Sequence, residues 1–446
     1  MRLLENAKAA LKLPDLRARV IFVFAMFAVY AFGAHVPVPG VDTKVLGEAF
    51  AQGFGGGLLK LINLFSGGAL KRFSIFALGI MPYINASIIM QLLAVAIPSI
   101  EQWQKEGEWG RRRIAKLTRV LTLISSVLQG WGILFLFQQT GAVKDVSLLN
   151  LNCWRIVLTL AAGTAALMWI GELITEKGIG NGVSLIIFAG IMMRLPTDVA
   201  QVYGLLSSRA VEWTNVFILL GFFVLTVMFI VFVQQAERRI PVQYTRRIVG
   251  TRMMGRTSHL PLRVNTAGVI PIIFAISVAM FPGTLTSMIP IFRHGTVVTL
   301  PLIGKIDMGA LGAQIREIFY PGGSNIGLLL YFLLVIAFTY FYTAVVLNPS
   351  DLADNLRKWG GVIPGVRPGA PTVQYIDKVL TRITFGGAIF LGIIAILEFL
   401  VPHWTGLPLY DIAGGTSILI VVGVALETML QLEAQLLSRQ YERLIR

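Results

Sequence analysis

The stretch Trp213-Thr-Asn-Val-Phe-Ile-Leu-Leu-Gly-Phe-Phe-Val-Leu-Thr-Val-Met-Phe-Ile-Val-Phe-Val-Gln-Gln235 contains no charged side chain and consists mostly of large apolar residues. An α-helix rises about 1.5 Å per residue, so a helix over these residues can cross the hydrocarbon core of a bilayer, which is about 30 Å thick. A helix that is apolar on every side is stable in lipid, because it satisfies its own backbone hydrogen bonds. The stretch therefore predicts a membrane-spanning helix.

Similar apolar stretches recur along the whole chain of 446 residues. We count ten, at about 20–38, 73–97, 117–139, 153–171, 183–195, 213–235, 266–291, 325–347, 383–401 and 411–430. Only 14% of the residues are charged, whereas a soluble domain has about 25%. The first stretch lacks a cleavage-site pattern, so it is predicted to be a retained helix. The predicted fold class is an all-α polytopic membrane protein with ten transmembrane helices.

The net charge of +15 is concentrated in a few connecting segments. If the helices alternate in direction, most of the 38 Lys and Arg residues fall on one side, above all in residues 111–116 and 238–263. Positively charged loops stay on the cytoplasmic side of a membrane, so both termini are predicted to be cytoplasmic. Nucleic acid as the main ligand is the weaker explanation of the basic charge, and ribosomal RNA as a docking surface is left open.

Two pairs of short segments indicate an internal repeat. Gly79-Ile-Met-Pro-Tyr-Ile84 resembles Gly268-Val-Ile-Pro-Ile-Ile273, and Gly182-Val-Ser-Leu-Ile-Ile187 resembles Gly415-Thr-Ser-Ile-Leu-Ile420. The second predicted helix is thereby paired with the seventh, and the fifth with the tenth. This pairing divides the chain into two halves of five helices, residues 1–200 and 201–446. Because five is odd, the second half is predicted to be inverted in the membrane, as in transporters with a pathway at the bilayer midplane.

Each of these four segments carries isoleucines a few residues after its glycine. Ile80 and Ile84 are four residues apart, as are Ile187 and Ile191, so each pair shares one face of a helix. Isoleucines in membrane helices usually face lipid or pack between helices. A pore lining is favoured here because the centres of the ten stretches essentially lack the ionisable residues that ion-coupled transporters use. The acidic residues closest to those centres lie near the ends of the stretches and are Glu398, Asp411 and Glu427.

The sequence offers no site for catalysis, a cofactor or a metal ion. It contains no P-loop sequence, and its four histidines are not spaced as a helical zinc pair. Gly178-Ile-Gly-Asn-Gly182 does not match a dinucleotide-binding pattern and predicts a tight turn before a helix. The single cysteine, Cys153, excludes an internal disulfide and is predicted to be a buried packing residue. The chain is therefore not predicted to be an enzyme, and a partner or the membrane potential must supply energy for transport.

A set of longer motifs occurs in order along nearly the whole chain. The motifs are Phe65-Ser-Gly-Gly-Ala-Leu70, Ser74-Ile-Phe-Ala-Leu-Gly-Ile-Met-Pro-Tyr-Ile84, Lys105-Glu-Gly-Glu108, Ile174-Thr-Glu-Lys-Gly-Ile-Gly-Asn-Gly182, Leu260-Pro-Leu-Arg-Val-Asn265, Phe341-Tyr-Thr-Ala344, Asn348-Pro-Ser-Asp-Leu-Ala-Asp-Asn-Leu356, Gly365-Val-Arg-Pro-Gly369 and Gly414-Gly-Thr-Ser417. Together they closely resemble the bacterial SecY family. The resemblance implies two inverted five-helix halves around an hourglass pore, which conducts unfolded secretory polypeptides and releases membrane-protein helices sideways into lipid.

The resemblance implies three sets of site residues in the membrane. The family's pore ring carries over to Ile80, Ile84, Ile187, Ile191, Ile273 and Ile420, with Ile418 as the alternative to the last. The plug, a half-helix that closes the resting channel, corresponds to Leu58, Leu61, Ile62, Asn63, Leu64, Phe65, Ser66, Gly67 and Gly68, although the sequence alone favours a membrane-surface helix there. The lateral gate, between the second and third helices and the seventh and eighth, is placed near Asn85, Ser87, Gln91 and Gln129. For these four, hydrogen bonding between helices is the alternative role.

The resemblance also implies partners in the bacterial cytoplasmic (inner) membrane. The motor ATPase SecA or a ribosome with its nascent chain would dock on the loops after the sixth and eighth helices, at Arg252, Arg256 and Arg367. A solvated charge that fixes topology is the alternative for each arginine. SecE and SecG would be membrane subunits, SecDF and YidC further partners, and signal peptides and unfolded proteins the substrates. The segment 292–324 matches no family motif, so no role is predicted for it.

Two other functions are compatible with ten inverted helices. A secondary transporter for a small solute would need an ionisable or metal-binding group at the midplane, and the sequence offers no candidate. A structural membrane scaffold would make no contact between a translocating chain and residues 80–84. The sequence indicates neither the client proteins nor the oligomeric state.

Overall fold

The protein is mostly helical over the residues that its structure, a computed structural model, describes. These residues are 13–51, 59, 63, 65–138, 140–143, 146–147, 149–209, 211–244, 247–249, 252–254, 257–288, 292, 297–300, 304–405 and 414–445. The helices are α1 (Pro14–Gly33), α2 (Thr43–Ala51), α3 (Met81–Ala96), α4 (Pro98–Lys105), α5 (Glu108–Gln138), α6 (Leu151–Lys177), α7 (Gly182–Ser207), α8 (Trp213–Gln235), α9 (Ile270–Met288), α10 (Met308–Phe319), α11 (Asn325–Val346), α12 (Pro349–Lys358), α13 (Ala370–Thr405) and α14 (Gly415–Ile445).

The helices agree with the predicted membrane protein. Eight of them, within the described part of the chain, are long and apolar enough to cross a bilayer: α1, α5, α6, α7, α8, α11, α13 and α14. Helices α3 and α4 meet at a bend of 108° and count as a ninth apolar unit, and α9 is apolar over the shorter range Ile270–Gly283. Each of the ten predicted stretches overlaps one of these helices. The predicted class, an all-α polytopic membrane protein, is confirmed, and these helices are consistent with the predicted count of ten.

Several predicted boundaries are wrong. The second stretch is predicted to be helical from residue 73, but residues 66–80 form turns and α3 begins at Met81. Gly79 has a φ of +59°, which glycine adopts without strain, and Pro82 occupies the first turn of α3. The fifth stretch is predicted to end at residue 195, whereas α7 continues through Pro196. Helices α5, α13 and α14 also run past their predicted stretches, because their charged ends continue as helix beyond the apolar part.

The glycine-rich segment before α7 forms the turn that the sequence predicts. Gly180 has a φ of +93°, and the side chain of Asn181 accepts hydrogen bonds from the backbone amides of Val183 and Ser184 at 3.1 and 3.4 Å. These amides lie in the first turn of the helix and have no partner within it, so the asparagine cap stabilises the helix start. The predicted tight turn is confirmed.

Short β-strands, which the sequence analysis does not predict, lie between the helices. They are β1 (Glu237–Tyr244), β2 (Arg247–Val249), β3 (Arg252–Met254), β4 (Thr257–Arg263), β5 (Val297–Leu300), β6 (Gly304–Asp307) and β7 (Gly361–Val362). Strand β1 pairs antiparallel with both β4 and β7, while β2–β3 and β5–β6 form separate hairpins. The segment 292–324, for which no role is predicted, thus contains the hairpin β5–β6 and helix α10.

The chain folds into two compact units. One comprises Met1–Trp213, Met280–Ser324 and Ile420–Arg446, and the other Thr214–Ala279 and Asn325–Leu419. These units are defined by their internal packing, whereas the predicted halves are defined by a sequence repeat. The division into 1–200 and 201–446 therefore remains a prediction.

The start of the second and seventh predicted helices has the same backbone geometry in both units. Gly79 and Gly268 have φ values of +59° and +66°, and α3 and α9 each begin two residues later. Four residues before these glycines, the amide of Ile75 donates to the carbonyl of Val36 at 3.0 Å. The amide of Val264 likewise donates to the carbonyl of Ala236 at 2.9 Å, again just after the preceding long helix. The match between the segments at Gly79 and Gly268 therefore extends to hydrogen bonding.

Close contacts between backbones repeat in the same way. A Cβ on Gly163 of α6 would overlap the carbonyl of Ile75, and a Cβ on Gly387 of α13 would lie 2.5 Å from the carbonyl oxygen of Val264. At the start of α7, a Cβ on Gly182 would overlap the carbonyl of Gly171. Helix α14 shows the same contact between Gly415 and the carbonyl of Ile394. Small residues allow helix backbones to approach closely in membranes. The internal repeat is therefore a repeat of structure as well as of sequence.

Candidate functional site

The six isoleucines predicted for the pore ring are all buried. Each is at most 8% exposed: Ile80, Ile84, Ile187, Ile191, Ile273 and Ile420. Neighbouring residues on two of these helices are open to the surroundings, since Ile89 is 42% and Met192 38% exposed. This contrast argues against the lipid-facing alternative. Ile418 is buried too, and because the six residues are divided between the two compact units, the ring stays a prediction.

The first isoleucine pair lies where α3 begins. Ile80 immediately precedes the first residue of the helix, and the amide of Ile84 donates to the carbonyl of Ile80 at 3.1 Å. One helical turn therefore separates the two residues, and their side chains lie on one face. Ile187 and Ile191 have the same spacing in α7, which begins at Gly182.

The predicted plug ends in a closed turn. Of its nine residues, Leu58, Leu61, Ile62 and Leu64 lie outside the described residues. The Asn63 side chain accepts a hydrogen bond from the amide of Lys71 at 2.9 Å, and its carbonyl accepts one from the amide of Gly68 at 2.8 Å. The hydroxyl of Ser66 donates to the same carbonyl and accepts from the amide of Leu70, both at 3.3 Å. Asn63 and Ser66 therefore hold the turn closed.

The described plug residues are buried rather than exposed at a surface. Phe65 is 4% exposed and Ser66 is fully buried. Leu59, which lies in the same segment, belongs to a hydrophobic cluster with Leu70, Phe73 and residues of α5 and α6. A helix lying on the membrane surface would expose one face, so the burial argues against that alternative for this part of the segment.

Two glycines bring the end of the plug against α7. Gly67 has a φ of +65°, and a Cβ on it would lie 2.9 Å from the Cα of Gly190. A Cβ on Gly190 would lie 3.0 Å from the Oη of Tyr30 and 3.3 Å from the carbonyl oxygen of Phe65. Real Cβ atoms rarely make contacts this short, so neither glycine can be enlarged without moving its neighbour. We call this contact between Gly67 and Gly190 the plug seat.

Two of the predicted gate residues line a cavity in the first unit. The amide group of Gln91 donates to the hydroxyl of Ser87 at 3.5 Å, and both face a space of about 450 Å³ between α3, α5 and α6. The cavity is lined by Tyr83, Ser87, Met90, Gln91, Gln104, Arg111, Ile114, Ala115, Thr118 and Glu172. Asn85 and Gln129 are partly exposed and do not line it. The assignment of these four residues to a lateral gate stays a prediction.

An ion pair that the sequence does not predict lies beside this cavity. The Nε of Arg119 on α5 donates to Glu172 on α6 at 2.8 Å. The two residues are far apart in the sequence, and each lies among other charged residues at the end of its helix. Only the antiparallel packing of α5 on α6 brings them together. No short motif could have signalled the pair.

The loops after the sixth and eighth predicted helices form one platform. Strand β1 from the first loop pairs with β7 from the second, where Gln243 lies opposite Val362 and Tyr244 opposite Gly361. Beneath the strands lies a hydrophobic cluster of buried residues: Ile240, Val242, Leu262, Ala353, Leu356, Ile363, Ile376 and Leu380. We call this assembly of β1, β4, β7, α12 and the start of α13 the loop platform.

Of the predicted docking arginines, Arg367 is the one whose side chain the structure places. It is exposed on the loop platform between Gly365 and Gly369, which have φ values of +80° and +105°. Its carbonyl accepts a hydrogen bond from the hydroxyl of Thr372 at 2.8 Å, which ties the loop to the start of α13. Arg252 belongs to β3, and Arg256 lies outside the described residues.

Two buried sites with ionisable side chains were also missed. Glu398 is predicted to lie near the end of an apolar stretch, but α13 continues to Thr405 and Glu398 is only 1% exposed. Its carboxyl group accepts a hydrogen bond from the hydroxyl of Thr416 on α14. In α7, Arg194 and Asp198 form an ion pair of 3.7 Å on either side of Pro196, with both side chains largely buried. The membrane part therefore contains more buried ionisable groups than its sequence indicates.

The chain is similar in sequence to a known family along almost all of its length. A family model for SecY matches residues 74–429. The protein translocase subunit SecY of Aquifex aeolicus is 43% identical, and the alignment covers 99% of both chains. The subunit of the same name from Halalkalibacterium halodurans is 44% identical over 97% of both chains. That of Thermus thermophilus is 43% identical over 97% of this chain and 96% of its own.

Solved structures share the fold at lower sequence identity. A protein-conducting channel superimposes with a TM-score of 0.62 and 16% identity over 95% of both chains. Sec61 in the canine ribosome–channel complex from the endoplasmic reticulum superimposes with a TM-score of 0.59 and 15% identity, again over 95% of both chains. These likenesses show that the chain has the fold of both proteins.

Proposed function

Because the chain belongs to the SecY family of protein translocase subunits, we propose that it forms a channel for unfolded secretory polypeptides. The same channel releases membrane-protein helices sideways into lipid. The observation that carries the proposal is the burial of all six ring isoleucines, each at most 8% exposed, on helices that also have exposed apolar residues. Helices α7 and α14 begin at glycines that match in the repeat. Helices α3 and α9 each begin two residues after such a glycine.

An isoleucine ring suits a substrate of variable sequence. Branched aliphatic side chains present no fixed hydrogen-bond pattern, so side chains of any chemistry can pass. A narrow apolar constriction also excludes water and thereby obstructs ions. This closure matters because each charge that leaks across 100 mV dissipates about 2.3 kcal/mol.

The plug supplies a second closure. Its final turn is held by Asn63 and Ser66 and rests on α7 at the plug seat. A solved SecY structure that is described as having a plug domain which stabilises the closed state superimposes with a TM-score of 0.60 at 17% identity. In the proposed resting state the segment around residues 58–68 closes the outer side of the ring, and it leaves the seat when a polypeptide enters.

A signal peptide or a membrane-protein helix opens the proposed lateral gate. The gate lies between the second and third membrane helices on one side and the seventh and eighth on the other. Ser87 and Gln91 belong to the second of these helices and form a hydrogen-bonded polar strip on it. An apolar helix that passes the strip reaches lipid, whereas a polar segment stays in the channel.

The proposed location is the bacterial inner membrane, with both termini in the cytoplasm. In this orientation the loop platform faces the cytoplasm, and Arg367 stands exposed on it for SecA or a ribosome. Sec61 and yeast Ssh1, two structural neighbours, are described in complexes with ribosomes. SecE and SecG are the proposed membrane subunits, and SecDF and YidC are proposed further partners.

Photo-crosslinking tests the proposal directly. A crosslinker at Ile84 should react with a translocating chain that is arrested in the channel, because the chain fills the ring. The matched control is a crosslinker at Ile89, which lies on the same helix but is 42% exposed and should react with lipid. Equal reaction at both positions, or none at Ile84, would contradict the proposal. Saturable uptake of a small solute by the purified complex would favour a secondary transporter instead.

A further inference from the structure

A buried carboxyl group joins the last two membrane helices of the chain. Glu398 of α13 is 1% exposed, and it accepts a hydrogen bond from Thr416, which is itself 1% exposed. Ionisable residues are rare and expensive inside membrane proteins, and those that occur usually have a function. Nothing in the proposed ring, plug or gate uses Glu398.

The carboxyl group lies where α14 begins. Gly415 is the first residue of that helix and Thr416 the second. The N-terminus of a helix carries partial positive charge and unpaired amides, so a carboxyl group is stabilising there. One turn before Glu398, the carbonyl of Ile394 packs so closely on Gly415 that a Cβ would overlap it. Helix α13 thus fixes the start of α14 by a backbone contact and a side-chain hydrogen bond.

Tyr331 of α11 packs next to this junction. Tyr331 is fully buried, and its ring packs edge-on against Phe399, the neighbour of Glu398, with a centroid distance of 6.0 Å. The hydrogen bond itself lies in the interior, because Glu398 and Thr416 are each 1% exposed. In such an environment a hydrogen bond is stronger than in water and costly to break.

The first half of the chain has an anchor at the same repeat position. Thr175 follows Gly171 by four residues, as Glu398 follows Ile394. The hydroxyl of Thr175 donates to the carbonyl of Gly171 and accepts from the amide of Gly182, the first residue of α7, both at 2.9 Å. The fourth and ninth membrane helices therefore use equivalent positions to hold the start of the next helix. A hydroxyl does so in one half, and a carboxyl group in the other.

We propose that Glu398 is a positioning residue for the pore ring, acting through the start of α14. Ile420 lies four residues after Thr416, one turn into the helix, so the hydrogen bond sets the depth and rotation at which the Ile420 side chain is presented. The proposal rests on the proposed function, because it gives Ile420 the role of a ring residue. An acceptor at position 398 is what the role requires, and an amide oxygen provides one as well.

Ion conductance of the complete complex in vesicles tests the proposal. Glu398→Leu removes the acceptor and should raise the resting conductance several-fold, and Thr416→Val should do the same by removing the donor. Glu398→Gln keeps an acceptor, so its resting conductance should equal that of the unchanged complex. The matched control is Thr343→Val, because Thr343 is also buried but donates only to Thr339 within its own helix. Thr343→Val should leave the resting conductance unchanged, although it also removes a buried hydrogen bond.

A thiol-labelling measurement separates positioning from general loss of stability. In a variant that lacks Cys153, the cysteine of Ile420→Cys should react with a small water-soluble thiol reagent during translocation, and that of Val421→Cys should not. Adding Glu398→Leu should shift the reaction from position 420 towards 421, and Glu398→Gln should leave it at 420.

The outcomes separate the positioning role of Glu398 from the ring role of Ile420. If Ile420→Asn raises conductance while Glu398→Leu does not, the positioning role is wrong and the proposed ring stands. If Ile420→Asn has no effect, the ring role of Ile420 is wrong and the positioning role falls with it. Equal leaks from Glu398→Gln, Glu398→Leu and Thr343→Val would reduce Glu398 to a structural residue and overturn the inference.

Discussion

Replacing Gly190 by alanine tests whether the plug seat keeps the channel closed. A Cβ at position 190 would lie 3.0 Å from the Oη of Tyr30, 3.3 Å from the carbonyl oxygen of Phe65 and 3.4 Å from the amide nitrogen of Gly67. Two of these atoms belong to the backbone of the plug's final turn. That turn is closed by the hydrogen bonds of Asn63, so it must move as a unit by a few tenths of an ångström.

Moving the turn destabilises the seated plug. Adding a methylene-sized group to a well-packed site costs about 1–3 kcal/mol. The cost falls on the seated state, because the clash disappears once the plug has moved away. Since about 1.4 kcal/mol changes an equilibrium tenfold, the unseated fraction should rise by about fivefold to about a hundredfold. The resting ion conductance of vesicles that contain the Gly190→Ala complex should rise by the same factor.

Gly204→Ala is the control on the same helix. A Cβ at position 204 meets no atom within 4 Å, so alanine adds no clash there. It should even stabilise α7, because alanine favours a helix over glycine by about 1 kcal/mol. The conductance of this variant should equal that of the unchanged complex. If Gly190→Ala and Gly204→Ala gave the same low conductance, the plug seat would have no part in closure.

Three further predictions concern the ring and the loop platform. Ile84→Asn should raise the resting conductance several-fold, whereas Ile89→Asn, at a residue that is 42% exposed, should not; equal conductance would contradict the ring. Arg367→Ala should slow translocation driven by SecA without changing the resting conductance, and Lys378→Ala, also exposed, should affect neither. Ile240→Ala should lower the unfolding free energy by about 2–5 kcal/mol, measured by thermal unfolding, because Ile240 is buried in the platform's hydrophobic cluster; an unchanged melting temperature would contradict that packing.

The membrane helices could be predicted because lipid imposes a simple requirement on sequence. A helix such as α8 must be apolar along its whole length, and that property is visible without knowing its neighbours. The isoleucines of the proposed ring were found for a similar reason, because they follow glycines that recur in the two halves. Both the membrane helices and the ring isoleucines could thus be predicted from local spacing and composition.

Contacts between distant segments could not be predicted in this way. Gly67 and Gly190 are ordinary glycines in the sequence, and only the fold brings their backbones together. Glu398 and Thr416 lie on successive helices, and hydropathy treats a carboxylate near the end of an apolar stretch as a boundary. The strands of the loop platform were missed because the arginines around β1 indicate topology more strongly than they indicate a strand.

The repeat explains why the two halves can have different roles in one channel. In both, a residue one to three positions after the preceding long helix pairs with a residue four positions before a left-handed glycine, Val36 with Ile75 and Ala236 with Val264. These hydrogen bonds close the chain between them into a loop whose ends are fixed. What lies inside the loop can then change without disturbing the helix that follows. One half contains the proposed plug there, and the other contains the hairpin of β1 and β4, on which the proposed docking surface is built. A fixed frame with variable loops therefore allows one copy of the repeat to carry the proposed plug and the other to carry the proposed docking surface.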